Sequence, residues 1–527
     1  MGLSIVGEVE NLDNILIHSN VSDLLKIKAN KLPNREAIYY EKRRMTYGQL
    51  DREVTKLAQG LINSGINSGD RVAVALINSI EFVTSLFAIA RVGAVLIPLN
   101  PFFTKEESSY IMQQTGAKAL LCGEVSFYSE LREEIESLEI LISVGFQAEG
   151  YLYYDDLLVG NEFEDIHVEP KGNLFTIMFT SGTTGRPKGA MLTHENVLFS
   201  SGSASKIMEC TEDDVFLIPN PLFHIMGITF LLRAVFCGGK LVIMGKYSVT
   251  GALALIESEK VTVHPGVPTM FILELNSSDF EKYDLSSLRT GEMAAAPCPV
   301  EVVKKIRTDM NCNILIAYGS TETSATLTLT GFDADDNARS ETVGRPIPGV
   351  ELKVVDENRQ ECKVGEVGEL ACKGPGVTKG YYNMPIETAQ AIDQEGWFYT
   401  GDLATIDENG YVRIVGRKKE MIIKGGFNIY PRELEETLHQ HPAVLEAAVI
   451  GLPDAIFGEL TYACVVLREG ETSNEEELLA FMKERFVKYK IPDKFLILDE
   501  LPVTASGKIS KLKLKEELVK YNKAFTT

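Results

Sequence analysis

The feature that most constrains the fold is an alternation of two periods along the first two thirds of the chain. Between positions 37 and 355, short apolar runs such as Val72-Ala73-Val74-Ala75-Leu76, Ala94-Val95-Leu96-Ile97 and Lys240-Leu241-Val242-Ile243-Met244 alternate with helix-period segments over 46–64 and 84–92. Apolar strands separated by such helices are the pattern of βαβ units, which bury both faces of a mostly parallel sheet under helices. From about 350 to 415 the strands shorten and glycines multiply, and Asp407-Glu408-Asn409-Gly410 predicts a turn between two of them. The last stretch carries its own pattern, a helix over 431–439, strands over 447–450 and 461–467, and a helix over 474–485. The expectation is an α/β protein: a large N-terminal domain of βαβ layers plus a small β-rich layer over 1–416, then a small mobile α+β C-terminal domain over 417–527.

Charge and apolar content narrow the class. The 527 residues carry 52 Lys and Arg against 74 Asp and Glu, a formal charge of −22. A field of that sign repels polyanions, so no nucleic-acid partner is expected, and a small anionic ligand needs a local positive site. Eight scattered cysteines, without C-x-x-C or histidines at zinc spacing, argue against a disulfide framework or structural zinc and for a reducing cytoplasm. The N-terminus lacks a basic region leading into an apolar one, and Val6 spoils a myristoylation signal. The most apolar stretch, 71–99, is interrupted by Asn78, Ser79, Glu81 and Arg91 and carries Gly93 and Pro98, so it reads as strand, helix, strand within a core, and no integral membrane segment is expected.

The strongest chemical signal is Ile177-Met178-Phe179-Thr180-Ser181-Gly182-Thr183-Thr184-Gly185-Arg186-Pro187-Lys188-Gly189, an apolar strand running into hydroxyls, glycines and two cations. Glycines let backbone N–H groups approach phosphate oxygens, hydroxyls add donors, and Lys188 neutralises charge. The loop is not a Walker A motif, which would need Gly where Pro187 stands and a hydroxyl where Gly189 stands.

Four further segments follow: Ala317-Tyr318-Gly319-Ser320-Thr321-Glu322-Thr323; Tyr399-Thr400-Gly401-Asp402-Leu403; Gly416-Arg417-Lys418-Lys419-Glu420 with Lys424-Gly425-Gly426-Phe427-Asn428-Ile429; and Pro502-Val503-Thr504-Ala505-Ser506-Gly507-Lys508. In this order the five resemble the signature motifs of the adenylate-forming superfamily, which includes acyl-CoA synthetases, adenylation domains of peptide synthetases and luciferase-like enzymes. The resemblance spans Thr180 to Lys508.

It implies ATP, Mg²⁺ and coenzyme A as ligands, with a carboxylic acid activated on the α-phosphorus of ATP and pyrophosphate expelled. Such a step needs two anions held in line and developing charge neutralised, not a covalent protein nucleophile. On the resemblance, Thr180, Ser181, Gly182, Thr183, Thr184, Gly185 and Lys188 cradle phosphates, Thr321 donates to the α-phosphate and Glu322 holds Mg²⁺. Tyr318 stacks on adenine, with Gly319 and Ala295 completing the nucleotide site. Asp402, on a Tyr-Thr-Gly turn, accepts from the ribose hydroxyls, and Arg417 donates to the same ribose. Lys508 bridges the carboxylate and the α-phosphate, a contribution commonly worth about 3 kcal/mol. Lys419 is the implied hinge on which the C-terminal lobe turns after adenylation, and Gly425 and Gly426 line the pantetheine tunnel.

For the acyl group, the resemblance places the pocket at Pro219-Asn220-Pro221-Leu222-Phe223-His224-Ile225-Met226-Gly227, at 263–268 and at 290–299. Amino-acid-activating members carry an aspartate where this chain has His224, so an amino acid is disfavoured. His224 reads as a gate or wall, a general base, or a buried core histidine. Glu292-Met293-Ala294-Ala295-Ala296 replaces the commoner Gly-Gly-Ala-Pro version. Pocket residues are taken as His224, Gly227, Val267, Met293 and Ala294. With small alanines and adaptable methionines, an apolar monocarboxylate fits best, and the segment resembles medium-chain fatty-acyl-CoA synthetases. Lys483, Arg485, Lys488, Lys490 and Lys494 are a candidate docking patch for coenzyme A, or equally a solvated helix face. The reading is a cytoplasmic AMP-forming acid–CoA ligase, with a homodimer as the assembly to test. The alternatives are a loader of an acyl carrier protein, an aryl or cyclic acid–CoA ligase and a non-catalytic binding relative.

Overall fold

The structure, a computed structural model, describes residues 20–158, 174–180, 187–294, 300–454, 456–503 and 509–525, with side chains through 519. The chain divides into two compact units, Met1–Glu351 with Cys372–Phe398, and Leu352–Ala371 with Tyr399–Thr527. Residues 352–371 and 399–415 of the β-rich segment thus group with the C-terminal stretch, and 372–398 with the large unit.

In the large unit a seven-stranded sheet runs, edge to edge, Leu152–Tyr153, Ile140–Ser143, Ala119–Cys122, Arg71–Ala75, Val95–Pro98, Leu174–Thr180 (β1) and Lys188–Thr193 (β2). All neighbours are parallel except β1 and β2, which form an antiparallel hairpin. The apolar stretch over 71–99 is strand, helix Ile80–Val92 and strand, as expected. The Ser79 hydroxyl accepts from the Phe82 N–H to start that helix, Gly93 at φ 75° ends it, and every residue but Glu81 is buried. Arg91 is tolerated there because Asp51 accepts from its guanidinium at 2.5 Å and Ser22 at 2.8 Å. A helix apolar all round is therefore a core helix, and among the described residues no helix is long and apolar enough to cross a membrane.

A second sheet is ordered Val215–Ile218, Lys240–Ile243, Glu36–Tyr40, Arg43–Thr46. Helix α1 (Ile225–Cys237) and helix α2 (Pro268–Leu275) precede a third sheet in the chain, ordered Thr290–Met293 (β3), Asn313–Tyr318 (β4), Thr328–Leu329 and Arg345–Pro346. Parallel bridges from Val263 to Phe216 and to Thr290 carry the second sheet into the third.

In the small unit, Glu351–Val355, Gly368–Lys373, Phe398–Ile406 (β5) and Val412–Arg417 (β6) form a four-stranded sheet. The expected turn lies between β5 and β6, where the Asp407 carboxylate accepts from the Asn409 and Tyr411 N–H groups. The remaining strands pair in the order Phe427–Ile429, Ile422–Lys424, Gly458–Leu467, Val444–Asp454, with Lys494–Ile497 beside Gly458–Leu467. The long pair exceeds the sequence expectation because its ladder continues to Asp454 opposite Gly458, past the apolar centre. Helices Pro431–Leu438 and Glu475–Lys483 match the predicted pair within a few residues, and seven described cysteines are all free.

Candidate functional site

The β1–β2 hairpin presents the two flanks of the Gly-rich loop. Thr180 ends β1 and Lys188 opens β2, paired across the ladder, with the Thr180 hydroxyl 3.5 Å from the Lys188 carbonyl. They sit at the carboxyl end of β1, which runs parallel to Val95–Pro98; ligands of open α/β sheets bind at that end. Ser181, Gly182, Thr183, Thr184 and Gly185 lie outside the described residues.

The second group stands at the end of β4, where Tyr318 and Gly319 lead into the 3₁₀ turn Thr321–Thr323. A Cβ on Gly319 would lie 1.7 Å from the Ala325 carbonyl oxygen, so only glycine lets the chain fold back there. The structure joins this turn to the hairpin through Tyr381, which sequence reasoning missed. Its hydroxyl donates to Glu322 Oε1 at 3.0 Å, and Lys188 Nζ lies 4.9 Å from its ring centroid. The Thr378 N–H also donates to the Glu322 carbonyl at 2.7 Å. A cation and a hard carboxylate therefore flank one ring.

Among the described residues no cluster of three or more His, Cys, Asp or Glu could hold a metal ion. Mg²⁺ commonly binds through one or two carboxylates plus substrate phosphates, so a single Glu322 fits a metal that arrives with a nucleotide.

Both expected acyl walls are neighbours. Gly266 bridges to Met293 in parallel, its N–H donating to the Glu292 carbonyl at 2.9 Å, and the Ala294 N–H donates to the Gly266 carbonyl at 3.3 Å. Successive β3 residues face opposite sides: Met293 is enclosed in a hydrophobic cluster with Leu217, Val242 and Phe271, while Glu292 meets Arg233 of α1 at 2.6 Å. Both charged side chains are buried, and Arg233 also donates to Thr326 Oγ1 at 2.6 Å. The departure noted at Glu292 is thus an internal ion pair tying β3 to α1. Ala294 stays partly exposed, as does Val267, which caps α2; Ala295 lies outside the described residues.

His224 caps α1 and is exposed, its ring 4.8 Å from that of Phe223, which removes the buried-histidine reading. The glycine at 227 has a local cause: a Cβ would meet the Pro221 carbonyl oxygen at 2.3 Å.

In the small unit Asp402 and Arg417 are cross-strand partners on β5 and β6, with Arg417 Nε 3.4 Å from Asp402 Oδ1. Asp402 lies within a strand, not on the expected turn, because ladder pairing continues past Gly401 at φ 73°. Glu369, also missed, accepts from the Gly401 N–H at 3.1 Å and from Lys418 Nζ at 2.7 Å, clamping the start of this ladder.

Lys419 lies on the exposed turn after β6, inside the small unit. Gly425 and Gly426 form the hairpin turn between Ile422–Lys424 and Phe427–Ile429, at φ 59° and 84°, and a Cβ on Gly426 would meet nothing within 4 Å. Positive φ at both central turn positions accounts for these glycines. Lys508 lies outside the described residues; Val503 and Ile509, before and after it in the chain, pair as an antiparallel bridge. Part of the basic patch is spent internally, Lys490 pairing with Glu433 at 2.8 Å.

With this geometry in place, a profile of AMP-binding enzymes matches residues 25–382, and one of the AMP-binding enzyme C-terminal domain matches 433–508. The chain belongs to this family, on its AMP-forming acyl-CoA synthetase branch, as the sequence motifs implied. It is 41% identical over 537 residues to a Bacillus subtilis (strain 168) protein provisionally named acyl-CoA synthetase YngI, covering 96% of this chain and 98% of that one. It is 35% identical over 540 residues to the human mitochondrial medium-chain acyl-CoA ligase ACSF2, covering 95% and 88%. Among solved structures, o-succinylbenzoate CoA synthetase (MenE) from Bacillus subtilis in complex with the acyl-adenylate OSB-AMP matches with a TM-score of 0.83 at 32% identity, covering 94% of this chain and 97% of that one. The same enzyme in complex with ATP and magnesium ion matches at 0.82. The fold is that of adenylate-forming enzymes, a large N-terminal α/β domain and a smaller C-terminal one.

Proposed function

We propose that the chain condenses an apolar monocarboxylate, a medium-chain fatty acid, with ATP to an acyl-adenylate and then transfers the acyl group to coenzyme A, releasing AMP. The observation that carries the reading is the Lys188–Tyr381–Glu322 cluster at the carboxyl end of β1, a cation and a hard carboxylate held together beside the Gly-rich loop. Lys188 and the loop from Thr180 to Gly185 bind the phosphates, and Thr321 donates to the α-phosphate. Glu322 supplies the protein's carboxylate to Mg²⁺, which when bound with the nucleotide neutralises phosphate charge. Tyr318, with Gly319 and Ala295, takes the adenine, and Asp402 and Arg417 offer an acceptor and a donor to the ribose hydroxyls. Lys508 places its ammonium between carboxylate and α-phosphate. Lys419 is the turning point between the half-reactions, and Gly425 and Gly426 border the pantetheine path.

Two observations support the apolar acid. Arg233 consumes the Glu292 charge inside the protein, leaving that wall without an unpaired carboxylate, and medium-chain ligases are among the relatives matched along nearly the whole chain. The test is acid-dependent ATP–pyrophosphate exchange and coenzyme A-dependent AMP release over straight-chain acids from acetate to C16, branched and cyclic acids, and benzoate. Turnover peaking near C6 to C12 is the expected result. A peak on benzoate or a cyclic acid would move the substrate class, and exchange without discharge by coenzyme A would replace the acceptor by a carrier protein.

A further inference from the structure

Between the two charged groups of the phosphate end stands a residue that no sequence motif marked. Tyr381 is only 9% exposed, and its backbone is held on several sides. Ala190 of β2 pairs with it as an antiparallel bridge, and its N–H donates to Thr388 Oγ1 at 2.9 Å. On either side, the Gly380 carbonyl accepts from the Met191 N–H at 2.9 Å, and the Tyr382 N–H donates to the Gly189 carbonyl at 2.8 Å. The segment is in effect one more strand laid along β2. From that fixed base the side chain reaches both charged groups, its hydroxyl to Glu322 Oε1 at 3.0 Å and its ring face to Lys188 Nζ at 4.9 Å.

The chemistry of these contacts is asymmetric. A phenol ordinarily keeps its proton across the physiological range, so the Tyr381 hydroxyl meets Glu322 Oε1 as a neutral donor. A flexible ammonium and a carboxylate on either side of one ring attract each other, and a direct pair would neutralise both before a substrate arrived. The phenol gives the carboxylate a hydrogen bond that leaves its charge intact, and the ring face gives the ammonium a resting place that leaves its donors available.

We infer that Tyr381 is a positioning residue, which aims the Glu322 carboxylate at the metal–nucleotide and holds the Lys188 ammonium apart from it, ready for phosphate. The inference rests on the reading of this site as one for Mg²⁺–ATP.

The test compares wild type, Tyr381→Phe and Tyr381→Leu by calorimetric titration with ATP, with and without Mg²⁺, alongside pyrophosphate exchange. Tyr381→Phe keeps the ring and loses the hydroxyl. It should bind metal-free ATP within about twofold of wild type, while its gain in affinity on adding Mg²⁺ falls about tenfold, the scale of a hydrogen bond to a charged group. Its KM for the acid should stay unchanged. Tyr381→Leu removes the ring too and should also weaken metal-free ATP binding; should it fail to fold, Tyr381→Phe decides alone. Phe binding Mg²⁺–ATP like wild type, or losing equally with and without the metal, would overturn the inference while wild-type activity left the reading of the site intact. A wild-type protein that binds ATP under neither condition would overturn the reading, and the inference with it.

Discussion

Replacing Glu292 by Gln should destabilise the large unit by about 3 kcal/mol, because it strands a buried guanidinium. The Arg233 and Glu292 side chains are 0% and 3% exposed, and the Nη1–Oε2 distance is 2.6 Å. Solvent screening is therefore slight, and removing one partner of such a pair costs about 3 to 5 kcal/mol. Gln keeps the shape and one acceptor, which puts it at the low end. Arg233→Met belongs at the high end, about 5 kcal/mol, because it leaves the carboxylate only the Thr326 hydroxyl at 3.5 Å and loses the guanidinium contact 4.3 Å above the Phe230 ring. The double variant removes both charges, so its cost should fall about 2 kcal/mol or more below the sum of the singles. Trp397, the only tryptophan, lies in the large unit with the pair, so its fluorescence in urea reads the relevant transition. A Glu292→Gln loss below about 1 kcal/mol, or additivity within about 0.5 kcal/mol, would refute the claim that this pair holds β3 to α1.

Lys508→Ala should lower acid-dependent pyrophosphate exchange by roughly 10²-fold or more while leaving ATP binding nearly unchanged; wild-type exchange in that variant would refute its role. Gly426→Ala should leave exchange within about twofold and slow coenzyme A-dependent AMP release roughly tenfold or more, whereas equal effects on both half-reactions would leave the hairpin turn as the whole reason for that glycine. His194 is buried and its Nδ1 accepts from the Val21 N–H at 3.1 Å, and burial lowers its pKa from 6.5 to about 4. The unfolded chain therefore takes up a proton near pH 6.5 that the folded chain refuses until about pH 4, so this contribution is complete above pH 6.5 and is lost on acidification. Between pH 7 and 5 that loss should be about 2 kcal/mol, and His194→Gln, which keeps an acceptor, should remove it; an unchanged pH slope in urea denaturation would refute the assignment.

Those parts of the candidate site that depend on neighbours in sequence were legible without a structure. Thr180 and Lys188 flank one loop, Tyr318 to Glu322 form one strand end and turn, and the alternation of periods sufficed for the central sheet because each βαβ unit is local. Asp402 was legible as a residue but not in its setting: Tyr-Thr-Gly-Asp reads as a turn, yet strand pairing with β6 outweighs the bend that Gly401 introduces. The two glycines at 425 and 426 were legible as motif residues, but the positive φ that a two-residue turn demands of both emerges only from the strand pairing on either side.

What escaped the sequence shares one physical character. Tyr381 acts on Glu322 across 59 residues, Arg233 on Glu292 across 59, and Glu369 on Lys418 across 49. Each is a charged or polar side chain whose meaning lies in a partner brought near only by sheet order, and none sits in a local pattern that chemistry alone would single out. The motif residues are those that would touch ligand and must be the same chemical type wherever the ligand goes. Their supports need only supply a donor, an acceptor or a countercharge from whichever strand the topology delivers. On the proposed role of Glu322, that division predicts where variation within this fold is free: the carboxylate must be kept, whereas its neutral donor can come from any residue on the segment laid along β2 whose hydroxyl reaches the same oxygen.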